Sequence, residues 1–111
     1  MRERAYDRAI PQSPMTVAFE ESGRPEPVAY GAVANLSEGG ACVWTAAHFD
    51  VGEQLSLRLS GAREPQPLQA PAVVVWGAED VGEAEHAHRY GLKWVAPSPE
   101  YRSRLRRLAG L

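Results

Sequence analysis

The sequence predicts a mainly β domain, an antiparallel barrel or sandwich followed by one C-terminal helix. Six short segments are β-prone, most of them alternate apolar with polar residues, and loops rich in Gly, Pro and acidic residues separate them. Near the C-terminus the apolar period changes to that of a helix. A chain of 111 residues can bury one core without a disulfide or a metal. We therefore expect a single domain over residues 1–111, with the β structure within 14–96.

The strand assignments depend on local pattern. The predicted strands are Met15–Phe19, Val28–Asn35, Gly40–Thr45, Gln54–Ser60, Ala70–Gly77 and His88–Ala96. The clearest is Gln54–Ser60, because Leu55, Leu57 and Leu59 share one face of an extended chain and polar side chains occupy the other. This alternation is typical of a strand that is buried on one side only.

A helix is predicted over residues 98–109. Ser98 is a good N-cap, Pro99 suits the first helical position, and Gly110 can end the helix. One helical face carries the apolar residues Tyr101, Leu105 and Leu108. Because one short amphipathic helix is unstable alone in water, this face should pack against the β structure.

The apolar residues and the charge restrict the class of protein. Trp44, Trp76 and Trp94 lie in predicted strands, so we expect each to pack in the core or at the barrel rim. Cys42 is the only cysteine, which excludes an internal disulfide and fits a cytoplasmic protein. No apolar stretch approaches the roughly 18 residues of a membrane span, and the N-terminus does not resemble a secretory signal. A net charge of −2 argues against DNA or RNA as a partner.

Two polar motifs remain after the strands are assigned. The first is Arg4-x-x-x-Arg8, and the second, at the junction of two predicted strands, is Asn35-x-Ser37-x-x-Gly40. Asn, Ser and Gly are common in hairpin turns, so a purely structural turn is one interpretation of the second motif. A tight turn does not need this many hydrogen-bonding groups, however, so a ligand site is the other interpretation.

Together the two motifs resemble the PilZ domain, a bacterial receptor family for cyclic di-GMP whose pattern is RxxxR followed by [D/N]xSxxG. The resemblance continues in chain order through NLSEGGACV, VGEQLSLRL, VVVW and RYGLKW, so it covers nearly the whole chain. It implies a six-stranded antiparallel barrel with one C-terminal helix. It also places RxxxR before the first strand, within residues 1–13, and the second motif at the start of a barrel strand, on either side of the ligand.

The resemblance implies a non-enzymatic receptor that binds cyclic di-GMP and relays the signal to a protein partner. Arg4 and Arg8 would contact guanine and phosphate, and an arginine fork does match the O6 and N7 acceptors of guanine. The remaining predicted ligand-binding residues are Asn35, Ser37 and Gly40, with Arg2 and Gly39 as possible helpers. We further expect the N-terminal segment to be mobile without ligand and to become ordered over the bound nucleotide.

Three other functions compete with this one. A protein-interaction adaptor of the same fold would bind no nucleotide, and a small barrel that binds single-stranded nucleic acid would need a basic groove that the composition does not favour. An enzyme is disfavoured because the sequence shows no recognisable set of catalytic residues. His86 and His88 lack a third ligand, so we expect neither a metal site nor a cofactor.

Overall fold

The computed structural model describes residues 15–21, 24, 26–61, 66–79 and 88–109. These residues form six strands and one helix. The elements are β1 (Met15–Glu20), β2 (Ala29–Leu36), β3 (Gly40–Thr45), β4 (Gln54–Gly61), β5 (Leu68–Glu79), β6 (His88–Trp94) and α1 (Pro99–Ala109). Every predicted element is present, and β5 extends beyond its predicted range at both ends. Within the described ranges, no helix has the length and apolar character needed to cross a membrane.

The six strands close into a barrel in the order β1-β2-β3-β6-β5-β4, and every neighbouring pair is antiparallel. The pairing between β1 and β4 completes the circle, and Val17 lies opposite Leu59 there. Closure leaves none of these six strands with a free edge, whereas a sandwich of two open sheets would have free edges. The structure thus confirms the predicted barrel and excludes the sandwich.

The barrel interior holds the apolar face of each strand. In β4, Leu55, Leu57 and Leu59 are buried, and Ser56 and Arg58 between them point outward, as the alternation predicts. In the other strands too, the side chains that face the barrel interior supply core residues. These include Val17, Phe19, Val43, Val74, Tyr90, Leu92 and Trp94. The core is therefore continuous around the barrel axis.

The helix α1 packs on this core through the predicted face. Leu105 is fully buried, and Tyr101 and Leu108 lie partly buried against the core cluster. The Ser98 hydroxyl accepts a hydrogen bond of 3.2 Å from the Tyr101 amide, which is the predicted N-cap. Gly110, the predicted end of the helix, lies outside the described residues.

A β-bulge changes the direction of one tryptophan. The side chains of β5 that face the barrel interior are those of Ala70, Ala72 and Val74. Uninterrupted alternation would place Trp76 in the interior as well. The register between β5 and β6 shifts at Val75, and Trp76 is 36% exposed on the outer surface. Trp44 is also outside the core and half-buried. Of the three tryptophans, each expected in the core or at the barrel rim, only Trp94 lies in the core.

Candidate functional site

The second motif spans the end of β2, the turn that follows and the first residue of β3. Ser37 is only 5% exposed, and its hydroxyl oxygen accepts hydrogen bonds from the amides of Gly39 (3.1 Å) and Gly40 (3.2 Å). The Ser37 amide also donates to the Gly40 carbonyl oxygen at 2.9 Å. The serine side chain therefore organises its own turn, in the manner typical of Ser in such loops.

Gly40 lies where two strands approach closely. A Cβ atom at this position would stand 1.9 Å from the carbonyl oxygen of Leu92 on β6, far inside van der Waals contact. Gly40 pairs with Lys93 across the two strands, so the close atom is backbone and cannot rotate away. Strand pairing thus requires a glycine here, a reason that the motif alone did not reveal.

The last residue of β6, Trp94, donates two hydrogen bonds to the turn. The Trp94 side chain is 3% exposed, and its indole Nε1–H donates a hydrogen bond of 3.0 Å to the Ser37 carbonyl oxygen. The Trp94 amide donates to the Gly39 carbonyl oxygen at 3.1 Å. On the other side of the turn, Glu38 and Arg106 of α1 form an ion pair at 3.6 Å. The turn is therefore tied to both the sheet and the helix.

Asn35 presents an unused acceptor. It lies opposite Cys42, after a register shift at Ala34, whereas Val33 lies opposite the inward-facing Val43. Its Oδ1 atom is buried and has no hydrogen-bond partner among the described residues. A buried acceptor without a donor destabilises a protein by about 1–3 kcal/mol. Such an atom is well suited to accept a hydrogen bond from a bound ligand.

The outer face of the neighbouring strands carries a second group of side chains, which the sequence analysis did not identify as functional. The Arg89 guanidinium carbon lies 5.3 Å from the centroid of the Trp44 ring and 5.7 Å from that of Trp76. The Nε atom of Arg89 is buried and lacks a hydrogen-bond partner in the described part of the chain. Alternation with the buried Tyr90 could have placed Arg89 outside the barrel, but not between two indoles.

Other polar clusters in the structure are either paired or incomplete as sites. The Glu20 carboxylate, on β1, accepts hydrogen bonds of 2.8 Å from both Arg58 and Gln69, so both of its oxygens are satisfied. The His48 and His88 rings lie 5.5 Å apart. The described residues contain no group of three or more His, Cys, Asp or Glu side chains that could hold a metal ion.

Comparison with known families decides what this barrel is. The family model of the PilZ domain matches residues 2–110. The chain belongs to the PilZ family. The match includes the turn of the second motif and also the positions of Arg4 and Arg8, which lie outside the described residues together with Arg2.

Solved structures show the same PilZ fold. The chain is similar to the PilZ domain of YcgR from Escherichia coli, solved with c-di-GMP, at 16% identity and a TM-score of 0.74, covering 98% of this chain and 90% of that one. The PilZ domain of CeSA from a cellulose-synthesising bacterium matches at 17% identity and a TM-score of 0.60, with 94% and 95% covered. A motility inhibitor from Bacillus subtilis, MotI/DgrA, matches at 19% identity and 0.73, with 98% and 50% covered. A search of curated proteins finds no match.

The structure brings together four of the predicted site residues of this PilZ domain. They follow one another along the chain: Asn35 lies near the end of β2, Ser37 and Gly39 in the turn, and Gly40 at the start of β3. The described contacts give Ser37 and Gly40 structural roles at that turn, whereas the Asn35 oxygen has no donor among the described residues. Trp44, Trp76 and Arg89 lie on the outer face of β3, β5 and β6 and belong to neither motif.

Proposed function

We propose that this PilZ domain is a receptor for cyclic di-GMP and that the nucleotide binds at the turn between β2 and β3. The observation that carries the proposal is the buried Oδ1 atom of Asn35, which lacks a donor among the described residues and belongs to the family's second motif. The similarity to the YcgR domain, which was solved with c-di-GMP, supports the same ligand. The protein would act in the cytoplasm as a binding protein and not as an enzyme.

The chemistry of the ligand matches these residues. One edge of guanine carries N–H donors and needs an acceptor, and the Asn35 oxygen supplies one. The opposite edge offers O6 and N7, which an arginine fork contacts with two hydrogen bonds. In this proposal Arg4 and Arg8 contact that edge and the phosphates, with Arg2 and Gly39 as helpers. Asn35 has only one acceptor oxygen, whereas an Asp at this position would have two.

The turn also offers a route by which binding could be relayed to a partner. Glu38 lies inside the motif, and its ion pair with Arg106 joins the turn to α1. The two side chains are 24% and 52% exposed, so the pair is partly solvated and contributes little to stability. A dianionic ligand beside Glu38 would weaken this pair by repulsion, which would alter the exposed face of α1. We propose that a protein partner recognises this altered face.

Isothermal titration calorimetry with cyclic di-GMP tests the receptor function. We expect saturable binding to the full chain, and no binding of GMP or of a single-stranded oligonucleotide at the same concentrations. The nucleotide should be recovered intact by chromatography after long incubation, since no catalysis is proposed. A folded protein that ignores cyclic di-GMP would contradict the proposal and favour the adaptor function. Oligonucleotide binding would favour the nucleic-acid function instead.

A further inference from the structure

The helix α1 is strongly cationic in an acidic protein. It has 11 residues, of which four are Arg and one is Glu, so its net charge is +3. The whole chain has 12 basic and 14 acidic residues, which leaves 8 basic and 13 acidic residues outside the helix, a net charge of −5. One third of the basic residues therefore lies on a tenth of the chain. Such a concentration of charge attracts a partner of opposite sign.

Contacts within the protein account for only part of this charge. Arg104 is half-buried, and its guanidinium donates a hydrogen bond of 3.1 Å to the Gln66 carbonyl oxygen. Arg102 and Arg107 are exposed, and neither side chain has an ion pair or a hydrogen bond with another residue in the described ranges. Arg106 is exposed as well. We refer to Arg102, Arg106 and Arg107 as the arginine face.

The stability of the helix does not explain the arginine face. Arg106 and Arg107 lie in the last turn, where basic side chains interact favourably with the helix dipole. Arg102 precedes that turn and lies four residues before Arg106, so two like charges are neighbours on the helix surface. Such a pair destabilises a helix. Binding of an anionic partner would offset this repulsion.

One contact in the structure shows the kind of group that this face holds. The Glu38 carboxylate, from the turn between β2 and β3, lies 3.6 Å from an Arg106 guanidinium nitrogen. This distance is longer than a hydrogen bond. A guanidinium can hold a carboxylate with two parallel hydrogen bonds, which a freely approaching carboxylate could align to form. A carboxylate from outside the chain would therefore contact Arg106 more favourably than Glu38 does.

We propose that the arginine face of α1 is the docking surface for an acidic segment of a partner protein, and that Glu38 competes with this segment for Arg106. The carboxylates of the segment bind the three guanidinium groups in place of solvent and of Glu38. This inference rests on the proposed function, because that function gives α1 a protein partner. The inference adds the chemistry of that partner.

Two other anionic surfaces fit the arginine face less well. A helix that lies on a membrane inserts large apolar side chains into the lipid. In α1 these side chains, Tyr101, Leu105 and Leu108, pack against the barrel core instead. A nucleic acid extends beyond one short helix and would approach the rest of the chain, whose net charge is −5. A short acidic segment contacts the helix alone.

An NMR titration of the isotope-labelled full chain, without cyclic di-GMP, tests the docking surface. The probe is a short synthetic peptide with Glu at every fourth position and Ala and Gln elsewhere. The control peptide has Gln in place of each Glu. We expect the acidic peptide alone to shift the amide signals of residues 102–107, and added salt to reverse these shifts because it screens exposed charges.

Single variants then measure the contribution of each side chain. Arg102→Ala and Arg107→Ala should each weaken binding of the acidic peptide by up to about fivefold, the range for exposed ion pairs. Glu38→Gln should strengthen binding, because it frees Arg106. Arg24→Ala is the matched control, since Arg24 is an exposed arginine between β1 and β2, outside α1, and it should bind as wild type does. Circular dichroism would show that all four variants fold.

The possible failures are distinguishable. The docking surface would be overturned by an acidic peptide that leaves residues 102–107 unshifted, or by an equal loss of affinity in Arg24→Ala. Tighter binding of a single-stranded oligonucleotide or of phosphatidylglycerol vesicles to this face would also overturn it. Unchanged affinity in Glu38→Gln would overturn the competition by Glu38. A chain that binds the peptide but not cyclic di-GMP would contradict the receptor function and leave the docking surface intact.

Discussion

The Trp94 indole and the Ser37 carbonyl oxygen form a buried hydrogen bond of 3.0 Å that ties the end of β6 to the turn between β2 and β3. The bond joins residues 57 positions apart in the chain. It fixes the position of the turn relative to β6. The proposed function requires this turn to be in place, because Asn35 lies two residues before Ser37. A core residue thus holds the turn that belongs to the second motif.

Trp94→Phe should destabilise the protein and loosen the turn. Phenylalanine cannot donate to the Ser37 carbonyl, and a buried group left without a partner costs about 1–3 kcal/mol. Urea unfolding would measure this loss, and hydrogen exchange at the Gly39 and Gly40 amides should accelerate. Trp44→Phe is the control for ring size, since Trp44 is half-buried outside the core. Unchanged exchange at both glycines would contradict the anchoring role.

Asn35→Asp should preserve or strengthen binding of cyclic di-GMP, because a carboxylate can accept from two N–H donors. Asn35→Ala should weaken it. The Asn35 oxygen is buried without a donor among the described residues, so a carboxylate there should also destabilise the free protein. Ligand should raise the melting temperature of Asn35→Asp at least as much as that of wild type, because the stabilisation by a ligand depends on its affinity. A large loss of affinity in Asn35→Asp would show that repulsion from the phosphates dominates.

Arg4→Ala and Arg8→Ala should each weaken binding of cyclic di-GMP by about tenfold to a hundredfold, since a hydrogen bond to a charged group contributes roughly 1.5–3 kcal/mol. Calorimetric titration would measure the change, and the melting temperature of the free protein should stay the same. Arg107→Ala on α1 removes an equal charge from an exposed position and serves as the control. Wild-type affinity in both single variants would remove these arginines from the site.

Residues 2–10 should gain protection from hydrogen exchange when cyclic di-GMP binds. The segment holds few apolar residues, and Pro11 and Pro14 interrupt any helix that follows it, so little buried area opposes its chain entropy. Residues 54–60 in the barrel should change little and provide the internal reference. Equal protection of residues 2–10 in the free protein would show a preformed site and contradict a switch.

Tyr101→Phe should flatten the loss of stability at alkaline pH. Burial raises the pKa of Tyr101 to about 12 from 10.0, and the nearby Arg104 charge opposes the shift only in part. The folded state therefore keeps a proton that the unfolded state loses, and the free energy of unfolding falls as pH rises from about 10 to 12. Urea unfolding across this range should show a shallower fall in Tyr101→Phe.

The sequence by itself determined the elements of this protein and its family. The alternation of Leu55, Leu57 and Leu59 predicts β4. The N-cap residue and the helical spacing of the apolar residues within 98–109 predict α1. Both patterns can be recognised in the sequence because they depend on neighbours within one element. The two motifs, in order along the chain, identify the PilZ family that the family model confirms. They also mark Asn35 as a site residue, which remains a prediction.

Only the tertiary structure decided how these elements meet. Barrel closure depends on the pairing of β1 with β4, and the outward turn of Trp76 depends on a bulge that the β5 pattern does not reveal. The position of Arg89 between two indoles, and the bond from Trp94 to the motif turn, likewise join strands distant in the chain. Local pattern specifies which face of a strand is buried, whereas register and strand order arise from packing the whole core at once.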